Sequence, residues 1–221
     1  MHLAWALFCE GNSDYSYFEV LLPRVMEEIA CRDGVRPVEI PSAPTVRLGR
    51  GGRSVEAVAL EVCVDARNAF HLLFVSADTG GRGQESAIDN RARQYCLAIH
   101  ERCEWPPARC VLLTPRHETE AWALADPSAV KRALGFTGPA TALGLPSDAA
   151  EAERLPDPKS VLTRAAEQAR GRRSARPAAG LFVSIAQSQS IPALRASHSF
   201  REFEGRLRAG LVDLGCLRSC T

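Results

Sequence analysis

Along this chain, short unbroken apolar runs alternate with stretches where apolar residues recur every three or four positions, the signatures of buried strands and amphipathic helices. His2 to Phe8 is almost uncharged and predicts a strand buried on both faces. Phe18, Leu21, Leu22, Val25 and Ile29 then predict a helix from about Ser13 to Cys31. Pro23 falls inside it and predicts a kink or a new helix start. Val35 to Ile40 is a second candidate strand, closed by Pro41 and Pro44. Ser54 is placed to cap a helix that buries Val55, Val58, Ala59, Val62 and Cys63. His71 to Ala77 predicts a third strand, and Ile88, Ala92, Tyr95, Cys96, Ile99 and Cys103 a crossover helix from Gln84 to Glu104. Arg109 to Thr114 predicts a fourth strand, and Glu118 to Asp126 a short helix.

Strands alternating with helices predict an α/β fold, a mainly parallel sheet of about four strands flanked by helices, over residues 1–134. Residues 135–157 are rich in Pro, Gly, Ala and Ser without a clear period and predict a long loop. Residues 158–221 predict a helical C-terminal extension packed on the core. Its first helix runs from Pro158 to Arg170, a basic turn follows to Arg176, and Ile185 to Ala196 gives one or two short helices. In the last helix Ser199 and Glu202 form a capping box ahead of a stripe of Phe200, Phe203, Leu207 and Leu211.

Composition narrows this only a little. With 46% hydrophobic and 24% charged residues in 221, the chain can bury a core and fold alone. A net charge of +1 gives no field that would announce a nucleic-acid partner. The positive charge is nearly all arginine, the lysines being Lys131 and Lys159; this suits phosphate contacts and equally reflects GC-rich coding. No apolar run is long enough to span a bilayer, and the short N-terminal run has neither a basic region nor a small-residue cleavage site, so a cytoplasmic protein is expected. Its eight cysteines are accordingly expected to be reduced thiols.

The candidate chemistry lies where strands end. Glu10 is the first charged residue after the first strand, with Gly11 to allow a tight turn and Ser13 or Asp14 to cap the helix. Asp78 directly follows the third strand, and Glu118 and Glu120 follow the fourth. Carboxylates gathered at one rim repel unless a cation or shared proton joins them. Oxygen ligands favour Mg²⁺ or Mn²⁺, and such ions suit phosphodiester cleavage. Helix capping is the plainer role for Glu10 and Asp14. The loop around Arg50 and Arg53 lacks the Lys-Ser/Thr pair of a P-loop, although its arginines could reach phosphates.

Glu10-Gly11-x-x-Asp14 and Ser76-x-Asp78 resemble the Toprim fold of topoisomerases, primases and OLD-family nucleases. Over most of its length the chain is similar to the Toprim-like family catalogued as domain of unknown function 4276, through Glu10-Gly11, Asp14, Phe18, Leu21-Leu22-Pro23, Ala77-Asp78, Glu118 to Asp126, Pro158-Lys159 and Ile191 to Phe203. The Glu-Ala-Trp-x-x-Ala-Asp segment is the most specific of these. The resemblance implies a divalent-metal nuclease or phosphotransfer centre in phage or mobile-element defence, with nucleic acid as partner and an ATPase as a candidate companion. It implies Glu10 as metal ligand or general acid/base, Asp14 and Asp78 as ligands, and Glu120, with Glu118 beside it, as a further ligand or base. Lys159 would steady the phosphate, and Ser76, Arg50, Arg53 and Arg82 would contact substrate.

One departure is that the second aspartate of the Toprim Asp-x-Asp pair is Gly80 here, which Asp14, Glu120 or Asp89 would have to replace. A degenerate module that binds nucleic acid or a partner protein without cleavage is therefore the alternative. Zinc held by Cys96, His100, Cys103, Cys110 and His117 is a poorer match, since no Cys-x-x-Cys knuckle occurs. A serine hydrolase lacks its Gly-x-Ser-x-Gly elbow. Trp5 and Trp122 are expected in the core rather than as base-stacking platforms.

Overall fold

The computed structural model describes residues 1–48, 53–66, 68–76, 85–170 and 179–219. Strand β1 (Trp5–Cys9) leads into helix α1 (Asn12–Asp33), followed by the short strand β2 (Val46–Arg47), α2 (Val55–Leu60) with a π-helical turn over Glu61–Asp65, β3 (Leu72–Ser76), α3 (Glu85–Cys103) and β4 (Cys110–Leu112). Helices α4 (Thr119–Ala123), α5 (Pro127–Leu134), α6 (Ala149–Ala152), α7 (Pro158–Arg170), α8 (Ala179–Ser188), α9 (Ile191–Leu194) and α10 (His198–Asp213) complete the order. The four strands form one all-parallel sheet in the order β2-β1-β3-β4, the α/β architecture expected from the alternating pattern.

The chain divides into two units, the first comprising Met1–Tyr15, Leu21–Thr114 and Glu202–Thr221, the second Ser16–Val20 and Pro115–Arg201. Helices α1 and α10 each contribute residues to both units. In the first unit Ala6 and Phe8 of β1, with Leu73 and Val75 of β3, face Val58, Val62, Ala92, Tyr95 and Ile99 of the following helices. The other face carries Trp5 edge-on to Phe74 at 5.8 Å, and Phe203 of α10 lies 6.4 Å from Phe74. Gly210 lets α10 approach closely, since a Cβ there would sit 2.7 Å from the Ala108 carbonyl oxygen and 3.0 Å from Leu72. In the second unit buried Trp122 meets Phe18 at 5.9 Å and Phe200 at 5.2 Å, and its indole N–H donates to Ser199 Oγ at 2.8 Å. Both Trp5 and Trp122 are core residues, as expected.

Several local expectations are corrected. Pro23 starts no new helix, and α1 runs through it. The second strand is not Val35 to Ile40 but Val46–Arg47. Pro37 and Pro41 remove ladder N–H donors in the earlier stretch, which keeps one bridge from Glu39 to His2. The expected loop 135–157 contains a 3₁₀ turn at Ala140–Leu143 as well as α6, whose N-cap Asp148 accepts from the Glu151 N–H at 2.8 Å. Ser197 rather than Ser199 opens α10, accepting from the Phe200 N–H at 3.1 Å. Ser54 does cap α2, accepting from the Ala57 N–H at 3.2 Å. Among the described residues, no helix is long and apolar enough to cross a membrane.

The cysteine expectation is also overturned. Cys63 is joined to Cys103, and Cys96 to Cys110. Positions 96 and 103 lie two turns apart on one face of α3, so one stripe reaches the π-helical turn and β4 at Cα separations of 5.6 and 5.8 Å, within disulfide reach. Cys9, Cys31 and Cys216 take part in neither disulfide.

Candidate functional site

In the strand order β2-β1-β3-β4 the chain leaves β1 toward one edge of the sheet and leaves β3 toward the other. The carboxyl ends of β1 and β3 therefore form the topological switch point, where open parallel sheets leave a crevice for ligands. Their last residues, Cys9 and Ser76, are register partners, and the Glu10 N–H donates to the Ser76 carbonyl at 3.2 Å. Glu10 is thus the first residue to leave the sheet at that crevice.

Its side chain is about 10% exposed and its Oε1 takes three donors. Arg91 gives Nη2 at 2.9 Å and Nε at 3.2 Å, and Tyr95 gives its hydroxyl at 2.9 Å. Residues 91 and 95 stand one helical turn apart on α3, so a single face presents both to the carboxylate. Burial, then the hydrogen bond to and the charge of Glu10, push the Tyr95 phenol up to about 12, so it is a proton donor at neutral pH. The sequence reading did not single out Arg91 or Tyr95. The available signal was a tyrosine on an apolar stripe, whose hydroxyl needs a partner when buried.

Asp14 sits at the same turn. The N-cap position of α1 is the extended Gly11 rather than Ser13 or Asp14. Instead the Asp14 carboxylate lies over Gly11, where a Cβ would come 2.7 Å from Oδ2. Glycine is what admits that carboxylate to the turn beside Glu10. Asp14 also lies in the first turn of α1, where the helix dipole favours an acid.

The remaining candidates are placed as follows. Ser76 is buried at the end of β3. Arg53 pairs with Glu61 on the helical segment that follows it and also donates to the Ala57 carbonyl, so the structure engages it locally. Asp78, Arg50, Arg82 and Gly80 lie outside the described residues, as does the side chain of Asp89. Glu118, Glu120 and Lys159 belong to the second unit. Glu118 is the extended residue before α4, with its Oε2 buried and without a hydrogen-bond partner; Glu120 is buried, and Lys159 is exposed on the first turn of α7. In the same segment Asp126 caps α5, accepting from the Ser128 and Ala129 N–H groups, and also takes the Ser190 N–H at 2.9 Å. Trp122 and Asp126 therefore have structural work in the most specific stretch of the resemblance.

No family model matches the chain, nor does any curated protein or solved structure.

Among the described residues, no three His, Cys, Asp or Glu side chains form a metal-holding group. Glu10 and Asp14 are nevertheless oxygen donors of the hard kind that Mg²⁺ and Mn²⁺ take, and they share the end of β1. The zinc alternative meets a different obstacle, because Cys96, Cys103 and Cys110 are oxidised in disulfides and His100 Nδ1 lies 2.8 Å from the Trp105 carbonyl oxygen.

Proposed function

We propose that the chain is a Toprim-like, divalent-metal-dependent nuclease or phosphotransfer enzyme acting on nucleic-acid phosphodiesters. The observation that supports this is the emergence of Glu10 at the switch point between β1 and β3, with the Asp14 carboxylate over the adjoining Gly11. Glu10, Asp14 and Asp78 would hold Mg²⁺ or Mn²⁺, which supplies charge neutralisation at a phosphoryl group. Tyr95 keeps a proton on its oxygen and holds the Glu10 carboxylate in one orientation. Glu118, Glu120 and Lys159 are further candidates in the second unit. A cytoplasmic setting, a role in phage or mobile-element defence and a companion ATPase belong to the same proposal.

A second reading is favoured by the Arg91–Glu10 pair. An arginine already balances the carboxylate charge, as it would in a degenerate module that binds nucleic acid or a protein without cutting. The test is incubation of purified protein with single- and double-stranded DNA and RNA in Mg²⁺ or Mn²⁺. Cleavage by wild type that is lost in Glu10→Ala and blocked by EDTA is expected. Identical products from wild type and Glu10→Ala would remove the enzyme reading.

A further inference from the structure

Arg91 does more at this rim than neutralise an acid. Its guanidinium spends two of five N–H groups on Glu10 Oε1, with the Tyr95 hydroxyl as a further neighbour. The side chain is half exposed while the carboxylate it leans on is about 10% exposed, so one edge of the guanidinium is anchored and another faces solvent. Tyr95 donates to the same oxygen and fixes the carboxylate that fixes the arginine. A planar donor set held in this way matches two oxygens of a phosphate. Its position at the switch point between β1 and β3 is where an α/β sheet receives a ligand.

We propose that Arg91 is the phosphate-binding residue of this site, oriented by Glu10 and Tyr95 to take a non-bridging oxygen of a nucleic-acid phosphodiester. This rests on the reading of Glu10 as the functional centre. Arg91 is then a substrate contact and Tyr95 a positioning residue. A divalent ion would be repelled by the guanidinium, so the two ligands respond to Arg91 in opposite directions.

The experiment measures binding of a labelled DNA or RNA oligonucleotide in EDTA by polarisation, and binding of Mn²⁺ alone by electron paramagnetic resonance. Wild type, Arg91→Ala, Arg91→Lys and Tyr95→Phe are compared, each with near-ultraviolet circular dichroism as a check of folding. Arg91→Ala is expected to weaken oligonucleotide binding about ten-fold and to lower the slope of log affinity against log salt by about one. Arg91→Lys should recover part of the loss, and Mn²⁺ should bind Arg91→Ala at least as tightly as wild type. Unchanged oligonucleotide affinity in folded Arg91→Ala overturns the proposal, as does failure of wild type to bind any oligonucleotide or equal weakening of both ligands. Wild type that binds through Arg91 but cleaves nothing in Mg²⁺ or Mn²⁺ would sink the nuclease reading and leave this inference standing. Cleavage by wild type with undiminished binding by Arg91→Ala would do the reverse.

Discussion

Two shielded carboxylates, Glu10 in the first unit and Glu153 in the second, are satisfied by different kinds of partner. Glu153 accepts from the Ser197 hydroxyl at 2.6 Å, the Ser199 hydroxyl at 2.5 Å, and the His198 and Ser199 N–H groups at 2.7 and 2.8 Å. These donors are backbone or one-carbon side chains, fixed as soon as α10 forms. Burial opposes ionisation of Glu153, but the Ser197 and Ser199 hydroxyls and the two N–H groups outweigh it and hold the carboxyl below its usual range. Glu10 instead meets the ends of two long side chains, one of them half exposed. The first arrangement is a structural tie. The second is held by longer side chains with more conformational freedom, so it is the less fixed of the two.

The largest effect that sharpens this contrast should come from reduction. Both disulfides anchor α3, the helix bearing Arg91 and Tyr95, and they close separations of 14 and 40 residues. Opening them should cost about 3 and about 4 kcal/mol respectively. Hydrogen exchange before and after a phosphine reductant should show α3 losing protection while amides around Trp122 keep theirs. Equal loss in both units would break the contrast. If purified protein alkylates at seven or more of its eight cysteines without reductant, the disulfides are not formed.

Glu153→Ala should follow, at about 3 kcal/mol by urea denaturation, because it strands two hydroxyls and two N–H donors. The same carboxylate predicts a pH dependence. Its folded value is lowered, so its stabilisation is complete above the ordinary glutamate range and is lost as pH falls through the folded value. Wild type should lose stability on acidification over that window, and Glu153→Gln should lose less. The smallest effect belongs to Tyr95→Phe, about 1 kcal/mol, since Arg91 still serves Glu10. A loss there as large as at Glu153 would make Glu10 a structural tie too.

The sequence exposed what is local. Apolar runs located three of the four strands, and helical stripes located α1, α2, α3 and α10, because burial imposes a period on neighbouring residues. Glu10 was legible for the same reason, as the first charge after a buried run. Partners distant in sequence were not. Arg91 and Tyr95 lie more than eighty residues from Glu10, and nothing at either end encodes the match. Cysteine pairing failed similarly, since a stripe of cysteines on α3 looks apolar until β4 and the π-helical turn are seen beside it. Ser197 was overlooked for Ser199 because both precede the same apolar stripe, and the four bonds to Glu153 decide which turn begins the helix.

Phe74 on the sheet packs against Phe203 of α10, a residue that follows both segments of the second unit in the chain. During synthesis Phe74 must wait for Phe203 while residues 115–201 emerge from the ribosome. The first unit is therefore begun early and completed late, with an interval in which a chaperone or a neighbouring nascent chain can reach its core.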